Sequence, residues 1–519
     1  MRIQTIKPEA KPRSSSWSNR FLIAAIAGIL FLTLFPFRFD FQLRLPGNSS
    51  PFFLGSGVKT LGFLDALLNV LLFVPFGFGL AEKLRERKMS RTAVFFIVWI
   101  TGAVFSYAIE ISQIYIPMRD SGWEDVLTNS SGSIVGFVLF ESLGTFTISL
   151  LSRCETVLRS WLTPLRAALF LSIYFLCWLA ISAALQTQTR LSNWEPESLL
   201  LVGNEASGQD PWKGQLQRLQ IGDRAVTDAD AFQLTSGQPG SEEPSVWRAA
   251  YDFSNPPPFK DTKEFLPSLS WVPSAPLVAH SDAFVLTGKP WLASTAVVRD
   301  LVLGIRETNQ FSLHIICASE EPHIGHGHIL SISRSPSLVD LNLWQDESSL
   351  VLWFRSPVSV KRAMLAWYVP NIFTDTRPLN ILYSYDGADL SLYVNGKKSG
   401  RMYRLGPGTV LARILRRVRP AELKGYNDIY YSLVFFPAGI ILGLAARGRM
   451  QSNVTVLSAA ALISLLPVFL LEFILVWVSG RPVSAWNLFL SAMLLVAGFL
   501  WIRSDSVSSN YGHHNLSVG

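Results

Sequence analysis

Seven polar side chains lie within or beside apolar stretches of the N-terminal third of the chain, where polar groups are rare. They are Asp65, Asn69, Glu110, Gln113, Arg119, Asp125 and Asn129. Carboxylates, amides and a guanidinium can together hold a polar headgroup or a metal-chelated pyrophosphate, and a carboxylate can also pass on a proton. Because ionisable groups are costly inside apolar segments, their presence there is a hypothesis of function.

The spacing of these residues puts them on shared helical faces. Asp65 and Asn69 are one turn apart, and the pair Glu110 and Gln113 also shares a face. A third stripe has spacings of four, three and four; its members are Asp125, Asn129, Gly132 and Gly136. Three helices, each with one polar face, would therefore bring the cluster together.

The elements that carry these faces are predicted to be membrane spans. Of the 519 residues, 49% are hydrophobic and 16% are charged, against ~25% charged in ordinary globular domains. This composition excludes a disordered chain, and three scattered cysteines exclude a disulfide framework or a zinc site. Apolar runs long enough for a bilayer core of about 30 Å occur at about 21–37, 61–81, 92–116, 124–150, 165–185, 428–446, 454–478 and 484–502.

The orientation of the eight spans follows from the basic residues of the short loops. Lys and Arg are concentrated in the N-terminal arm (1–20) and in the loops after spans two and four, and such loops stay in the cytoplasm. Both termini, including the tail 503–519, are therefore predicted to be cytoplasmic. The net charge of +7 is then a topology signal, and no nucleic-acid partner is expected.

One basic segment, at 411–425, disagrees with this orientation because it precedes span six on the outer side. The rule weakens for long translocated domains, so the short loops decide. Leu411, Ile414, Leu415 and Val418 share one helical face. We interpret this segment as a short interfacial helix on the outer leaflet.

With this orientation the polar cluster lies in the outer half of the membrane, and two interpretations stay open. In the first, Arg119 ties a helical hairpin to Asp125 or Glu110, while Gly132 and Gly136 only allow close helix packing. In the second, the cluster lines a small polar pocket open to the outer leaflet. All seven histidines lie outside the spans, so no Ser/His or Cys/His pair is available there, and binding is favoured over catalysis.

The segment 190–410 differs in character from the spans. It has Gly- and Pro-rich turns and alternating runs at Gln215–Ile221, His328–Ser333, Ser349–Phe354 and Leu390–Val394. Such runs predict an antiparallel β-sandwich, and no helix is expected to interrupt the strands. The fold class is therefore a polytopic α-helical membrane protein of about eight spans, with an inserted all-β ectodomain outside the membrane.

An ungapped repeat relates spans two to four to the segment 428–502. Glu110 and Glu472 are 362 positions apart. The same offset pairs Pro75 with Pro437, Gly77 with Gly439, Arg119 with Arg481 and Gly136 with Gly498. Asn69, Gln113 and Asn129 correspond to Tyr431, Leu475 and Ser491. We therefore predict a parallel, degenerate second copy in which Glu472 has apolar neighbours, with any chemistry mainly in the first copy.

The first copy resembles the VanZ-like family of bacterial membrane proteins over residues 21–150, that is, spans one to four. The matching elements are Asp65 and Asn69 before Pro75-x-Gly77, then Glu110-x-x-Gln113, Arg119, and Asp125-x-x-x-Asn129-x-x-Gly132. The resemblance implies a multi-pass protein of the bacterial cytoplasmic (inner) membrane. It also implies a link to low-level resistance to the glycopeptide teicoplanin, with no reaction established for most members.

The ectodomain resembles the laminin G-like, concanavalin A-like jelly roll. The motif that carries the likeness is Ser384–Gly396, with an Asp-Gly turn, a strand and an Asn-Gly turn. The segment Trp212–Val226 looks like the closing strands of such domains, so a circular permutation is inferred. The likeness implies a glycan or protein partner, often with calcium as cofactor; for His323, His326 and His328 a metal-binding role is not favoured.

Three functions are weighed. The favoured one is a non-catalytic envelope protein that binds a membrane lipid or a lipid-linked cell-wall or polysaccharide precursor, while the ectodomain binds glycan or protein. The second is a proton-coupled transporter or flippase that uses Glu110 as a relay. The third is an intramembrane enzyme that acts on a polyprenyl headgroup around a divalent ion held by Asp65, Glu110 and Asp125.

The native cysteines test the predicted orientation. In intact cells, a membrane-impermeant thiol reagent should reach Cys317 of the ectodomain once the domain is unfolded, because that segment is predicted to be outside. The same reagent should not reach Cys154, at the inner end of span four. Labelling is read by mass spectrometry of the two peptides, and modification of Cys154 without Cys317 would overturn the orientation.

Overall fold

A computed structural model describes most of the chain. The described residues are 15–34, 63–116, 122–237, 244–254, 258–272, 284–287, 291–323, 325–359, 365–400, 403–415, 423–446 and 454–503. The chain divides into two compact units. One comprises Met1–Leu169, Ile440–Gln451 and Gly498–Gly519, and the other comprises Phe170–Gly439 and Ser452–Ala497.

Eight long helices occur in the described residues. They are α1 Ser15–Leu34, α2 Phe63–Glu86, α3 Arg91–Ile114, α4 Trp123–Trp161, α5 Pro164–Thr187, α9 Leu423–Ala446, α10 Val454–Ser479 and α11 Ala485–Arg503. Three short ones are α6 Asp228–Ser236, α7 Arg299–Thr308 and α8 Pro407–Leu415. Each predicted apolar run coincides with one long helix. Six helices are long and apolar enough to cross a membrane, and the described apolar stretches Asn19–Leu34 and Leu465–Ser479 are shorter.

Two basic side chains lie in helices, although the sequence prediction put one in the N-terminal arm and the other in the loop after span four. Helix α4 continues to Trp161, so Arg153 in the predicted loop after span four is helical. Arg20 lies in α1 and is only 5% exposed. Its guanidinium donates to the carbonyl oxygen of Ile502 at 3.1 Å and lies 3.9 Å from the Glu155 carboxylate. A buried arginine needs such partners, which are distant in sequence.

Helices α2 and α4 touch backbone to backbone. A Cβ atom on Gly132 would lie 2.2 Å from the carbonyl oxygen of Val70, and one on Gly136 would lie 2.2 Å from that of Val74. Any larger residue would force the helices apart. The glycine pair therefore holds the polar faces of α2 and α4 at close range.

The inserted domain is a two-sheet sandwich. Its strands are β1 Leu199–Val202, β2 Lys213–Gly222, β3 Trp247–Asp252, β4 Leu269–Val272, β5 Phe284–Thr287, β6 Trp291–Ser294, β7 Phe311–Ser319, β8 His326–Ser335, β9 Leu338–Asp346, β10 Ser349–Phe354, β11 Trp367–Val369, β12 Leu379–Tyr385, β13 Asp389–Val394, β14 Lys397–Lys398 and β15 Tyr403–Arg404. The four predicted runs all fall within strands, in β2, β8, β10 and β13. This confirms the predicted antiparallel sandwich.

The strand order gives one sheet as β11-β10-β9-β8-β1-β6-β4 and the other as β14-β13-β12-β7-β2-β3. In the second sheet β15 also pairs with β13, and β5 pairs with β2. Every pairing between these strands is antiparallel. Asn395 and Gly396 have φ of 47° and 74°, so they form the predicted tight turn between β13 and β14. The circular permutation stays a prediction.

The expectation that no helix interrupts the strands is wrong. Helix α6 is capped by Thr227, whose side chain accepts from the Asp230 amide. Helix α7 buries Leu301, Val302 and Ile305 and ends at Asn309 in the left-handed conformation. Both helices are only nine or ten residues long. A helical period is hard to distinguish over so few positions.

The interfacial segment predicted at 411–425 is described only in part, so its place on a membrane surface stays a prediction. Helix α8 begins earlier, at Pro407, and ends at Leu415. Val410 is buried in the sandwich core, whereas Ile414 is 68% exposed. The first turn of α8, which precedes the predicted segment, thus packs into the sandwich core. Val418 and the basic residues 416, 417 and 419 lie outside the described residues.

The space between the sheets is filled by large side chains. Trp194, Trp212, Tyr383 and Tyr385 are fully buried there, as is Cys317. Burial raises the pKa of the Cys317 thiol to about 12. Since the thiolate is the reactive form, labelling of Cys317 requires the domain to be opened, as the orientation test provides.

A buried carboxylate stabilises the entry of the chain into the sandwich. Asp340 on β9 is completely buried and accepts hydrogen bonds from the Ser198 hydroxyl at 2.7 Å and the Glu195 amide at 2.9 Å. The Arg355 guanidinium lies 3.6 Å away. Burial nevertheless raises the pKa of Asp340 from 3.8 to about 6. The folded chain therefore holds this proton more tightly than the unfolded chain.

We predict that Asp340→Asn removes a pH dependence of the stability of the sandwich. The stabilisation linked to this raised pKa is full below about pH 4 and is lost as the pH rises through about 6, by about 3 kcal/mol. Relative to the variant, the wild-type domain should therefore lose stability over that interval. Thermal unfolding of both proteins across the interval measures the difference.

Asp375→Asn is the matched control. The Arg377 guanidinium holds the pKa of Asp375 below its usual range, so its linkage has the opposite sign. Its effect should be small because both side chains are at the surface. Parallel stability profiles for wild type and Asp340→Asn would contradict the assignment to Asp340.

Candidate functional site

Five of the seven predicted polar residues have described side chains: Asn69, Glu110, Gln113, Asp125 and Asn129. We call them the outer polar cluster, after the side of the membrane that the sequence predicts for them. Asp65 lies in α2, but its side chain is outside the described part of the chain, as is all of Arg119. The cluster spreads over α2, α3 and α4, as the predicted stripes require. Among the described contacts, Asn69 bonds to Asp125, whereas Glu110, Gln113 and Asn129 each bond to a neighbour outside the cluster.

Asn69 and Asp125 join α2 to α4. The Asn69 amide donates to a carboxylate oxygen of Asp125 at 2.6 Å, across 56 positions of sequence. Asp125 lies in the first turn of α4, where the helix dipole favours a negative charge. This contact fixes the polar faces of two helices that the nearby glycines already hold close.

Glu110 is the most deeply placed carboxylate of the cluster, with 2% of its surface exposed. Its carboxylate accepts a hydrogen bond of 3.1 Å from the backbone amide of Gly122. Gly122 is the N-cap of α4 and has no side chain to cap the helix. The carboxylate of α3 thus lies at the positive end of α4, which stabilises its charge.

Gln113 and Asn129 face other neighbours. The Gln113 amide donates to the Thr33 carbonyl of α1 at 2.9 Å, and the Asn129 amide donates to the Ser106 hydroxyl of α3 at 2.9 Å. The buried carbonyl oxygen of Asn129 has no hydrogen-bond partner among the described residues. It is therefore an acceptor that a bound donor could satisfy.

The sequence prediction missed a second buried carboxylate in these helices. Glu82 in α2 is 3% exposed, and neither carboxylate oxygen has a hydrogen-bond partner in the described part of the chain. Glu82 stands one position beyond the predicted span 61–81, next to Lys83, so it was not among the predicted site residues. Glu82 lies four residues after Phe78 and seven after Pro75, so the three residues share one helical face. This spacing is the sequence signal that could have identified Glu82 as part of the helix's packed face.

The helices α9, α10 and α11 contain a tighter arrangement around Glu472, which is 4% exposed. Arg481 donates from both terminal nitrogens to the two carboxylate oxygens at 2.7 Å each. The Ser484 amide donates at 2.7 Å and the Asn487 side chain at 3.2 Å. The prediction that Glu472 has apolar neighbours is therefore wrong.

The second copy has lost some polar groups, but it keeps those that contact the Glu472 carboxylate. Leu475 and Tyr431 replace polar residues, but Arg481 and Asn487 keep the carboxylate fully hydrogen-bonded. Moreover, Gly122 and Ser484 are 362 positions apart, like Glu110 and Glu472, and each donates its backbone amide to its glutamate. This shared contact supports the duplication, which stays a proposal.

A separate group of potential metal ligands lies in the sandwich. The group consists of Glu205, Asp210 and His328. Each offers one ligand atom, and these three atoms lie within 4.8 Å of one another. His326 instead contacts Asp346, with 2.9 Å between ring nitrogen and carboxylate oxygen. Of the histidine run at 323–328, only His328 joins this group among the described residues. Calcium binding stays a prediction.

The comparisons with known proteins bear on the first helices only. Residues 3–147 match the VanZ/LLP1 family model, so this segment, which includes the outer polar cluster, is VanZ-like. No curated protein and no solved structure matches the chain. The sandwich has no lectin or laminin G family match, and its likeness to those domains stays a resemblance.

We predict that breaking the Glu472–Arg481 pair destabilises the helices α9–α11. Arg481→Ala leaves a buried carboxylate without its cation, which typically costs ~3–5 kcal/mol. The folded yield of the full chain in detergent and its melting temperature should both fall. The double replacement Glu472→Leu with Arg481→Met should recover most of the loss, because no unmatched charge remains.

Lys83→Ala is the control, since Lys83 pairs with Glu86 at 3.5 Å in a more exposed setting and should contribute at most ~1 kcal/mol. Size-exclusion chromatography of the fluorescently tagged variants gives the yield. If Arg481→Ala behaves like Lys83→Ala, the pair does not brace the hairpin.

Proposed function

We propose that the VanZ-like segment of this cell-envelope membrane protein binds the polar headgroup of a lipid-linked cell-wall or polysaccharide precursor. The burial of Glu110 carries the proposal. It is a carboxylate almost completely buried in an apolar helix, and it lies at the amide end of a second helix. Such a group is retained at a cost, and ligand binding would offset that cost.

The chemistry of the outer polar cluster fits a hydroxyl- or amide-bearing headgroup. Glu110 and Asp125 are acceptors for ligand donors, and the carbonyl of Asn129 is a further acceptor. The Asn69 and Gln113 amides donate to the protein itself at 2.6 and 2.9 Å, so they hold the framework. The close α2–α4 contact keeps these groups in place without ligand.

The proposed setting is the bacterial inner membrane, with both termini in the cytoplasm and the sandwich outside. The outer polar cluster would then face the leaflet that presents precursors to the envelope. The sandwich would bind extracytoplasmic glycan or protein. A bound precursor would also be shielded, which gives a route to tolerance of a teicoplanin-type glycopeptide.

Proton-coupled transport is the second candidate, favoured by one observation. Glu82 and Glu110 are two buried carboxylates near opposite ends of packed helices. A relay across these helices needs a titratable group at each end. An intramembrane enzyme around Asp65, Glu110 and Asp125 stays a third hypothesis.

We expect Glu110→Gln and Asp125→Asn to abolish function while leaving the protein folded. Both changes keep side-chain shape and a carbonyl acceptor, and both remove the charge. Mass spectrometry of lipids that copurify with the full chain should show an envelope precursor in wild type and at least a tenfold loss, about 1.4 kcal/mol, in either variant. Tolerance to a teicoplanin-type glycopeptide should fall in parallel.

Glu124→Gln, one residue before Asp125, is the matched control and should behave as wild type. Loss of folded protein in both cluster variants, without loss of lipid per folded molecule, would leave only a structural role for these carboxylates. Glu82→Gln separates the two candidates, because it should impair proton-coupled transport but leave precursor binding intact.

A further inference from the structure

A polar cavity of about 190 Å³ lies in the second compact unit, where the sandwich meets the ends of α5, α9, α10 and α11. Its walls come from the turn before β13, from β15, from α9 and from the α10–α11 hairpin. None of its residues belongs to the outer polar cluster. It is therefore a separate candidate site.

The sandwich is fixed on this hairpin by hydrogen bonds to the end of α10. The last carbonyls of a helix lack partners within the helix. Here three side chains donate to backbone carbonyl oxygens at the end of α10. Asn309 donates to the carbonyl of Ser479 at 2.6 Å, Arg190 to that of Val478 at 3.1 Å, and Gln310 to that of Gly480 at 3.1 Å. The cavity thus has rigid walls on both sides.

The wall from the sandwich is built around one ion pair and one acid held by backbone amides. Arg404 donates to both oxygens of Asp389 at 2.5 Å each. One carboxylate oxygen of Asp386 accepts from the amides of Ala388 and Asp389 at 3.0 and 2.7 Å. Asp386 has no arginine of its own among these contacts, and burial raises the pKa of its carboxyl.

The wall from the helices is built around Arg481, which is held by Glu472 behind it. Asn427 and Tyr431 of α9 complete this wall and are both less than 5% exposed. The side-chain carbonyl oxygen of Asn427 accepts a hydrogen bond of 3.0 Å from the backbone amide of Gly408. The helices thus supply amide, phenol and guanidinium groups in fixed positions.

The charges of the cavity disfavour an anion. Arg404 and Arg481 each face their own carboxylate through two hydrogen bonds, and Asp386 adds a third carboxylate. A phosphate or carboxylate ligand would meet no cation in excess among the described lining residues. A ligand with many hydroxyl donors would instead find carboxylate acceptors, with guanidinium and amide donors for its oxygens.

The volume of the cavity further limits the class of ligand. A volume of about 190 Å³ has room for about six water molecules at ~30 Å³ each, which is close to the bulk of one sugar ring. We propose that this cavity binds a single uncharged sugar residue, with Asp386 and Asp389 accepting its hydroxyls. The residue could belong to a glycolipid of the outer leaflet or to a soluble saccharide.

The test uses the full chain in a polyoxyethylene detergent, which carries no sugar. Glucose, galactose and N-acetylglucosamine are added singly, and the melting temperature and saturation-transfer NMR signals are recorded. At least one sugar should raise the melting temperature saturably. Asp386→Asn keeps the turn acceptor but not the charge, and it should raise the half-saturating concentration about tenfold.

Ala388→Leu places extra bulk in the cavity and should abolish the response. If this variant fails to fold, Asp386→Asn still decides the matter. The exposed control Asp375→Asn should respond as wild type. Glu110→Gln should also respond as wild type, so failure of the precursor proposal and failure of this one can be told apart.

Nanodiscs containing glucosyl diacylglycerol, compared with diacylglycerol alone, distinguish the two sources. If only the glycolipid stabilises the protein, the ligand is a membrane glycolipid. If free sugar stabilises it as well, the cavity also accepts a sugar residue of a soluble saccharide. Either result supports the proposal. The proposal would be overturned if neither a free sugar nor the glycolipid stabilised the protein, or if the response were unchanged in both cavity variants. Stabilisation by inorganic phosphate that is lost in Asp386→Asn would also overturn it.

Discussion

A carboxylate buried near the end of an apolar helix must be compensated, and this requirement organises the second unit. Glu472 receives four hydrogen bonds, two of them from Arg481. Because Arg481 and Ser484 lie in the α10–α11 connection, satisfying the carboxylate also fixes the shape of that connection. The carbonyls at the end of α10 are then held where Asn309 and Gln310 can reach them.

The two sets of helices differ in whether they leave a buried acceptor without a hydrogen-bond partner among the described residues. Glu472 is matched by a cation and two further donors, which makes it a structural brace. In the VanZ-like helices, Glu110 lies at the positive end of α4, and the buried Asn129 carbonyl has no hydrogen-bond partner among the described residues. A buried acceptor of this kind is costly unless a donor reaches it. This contrast supports the proposal that precursor binding belongs to the VanZ-like helices.

The sequence predicted those features that depend on local period or on length. Spans are visible because a bilayer imposes about twenty apolar residues, and strands such as β13 are visible because apolar and polar residues alternate, as in Leu390-Ser391-Leu392. Helix α7, the burial of Arg20 and the surroundings of Glu472 depend on contacts between distant segments. The Asn309–Ser479 bond joins residues 170 positions apart, and no periodicity reports it. Glu82 was missed because its charged neighbour resembles a span end.

The position of the sandwich in the chain has a mechanical consequence. Its hydrophobic core includes Tyr426 of α9 and Val410 of α8, and Leu185 of α5 packs against it. The described ends of both connections, in α5 and α9, therefore pack on the sandwich core. The sandwich presents one face to these helices, and a ligand in the shared cavity would contact sandwich and helices together.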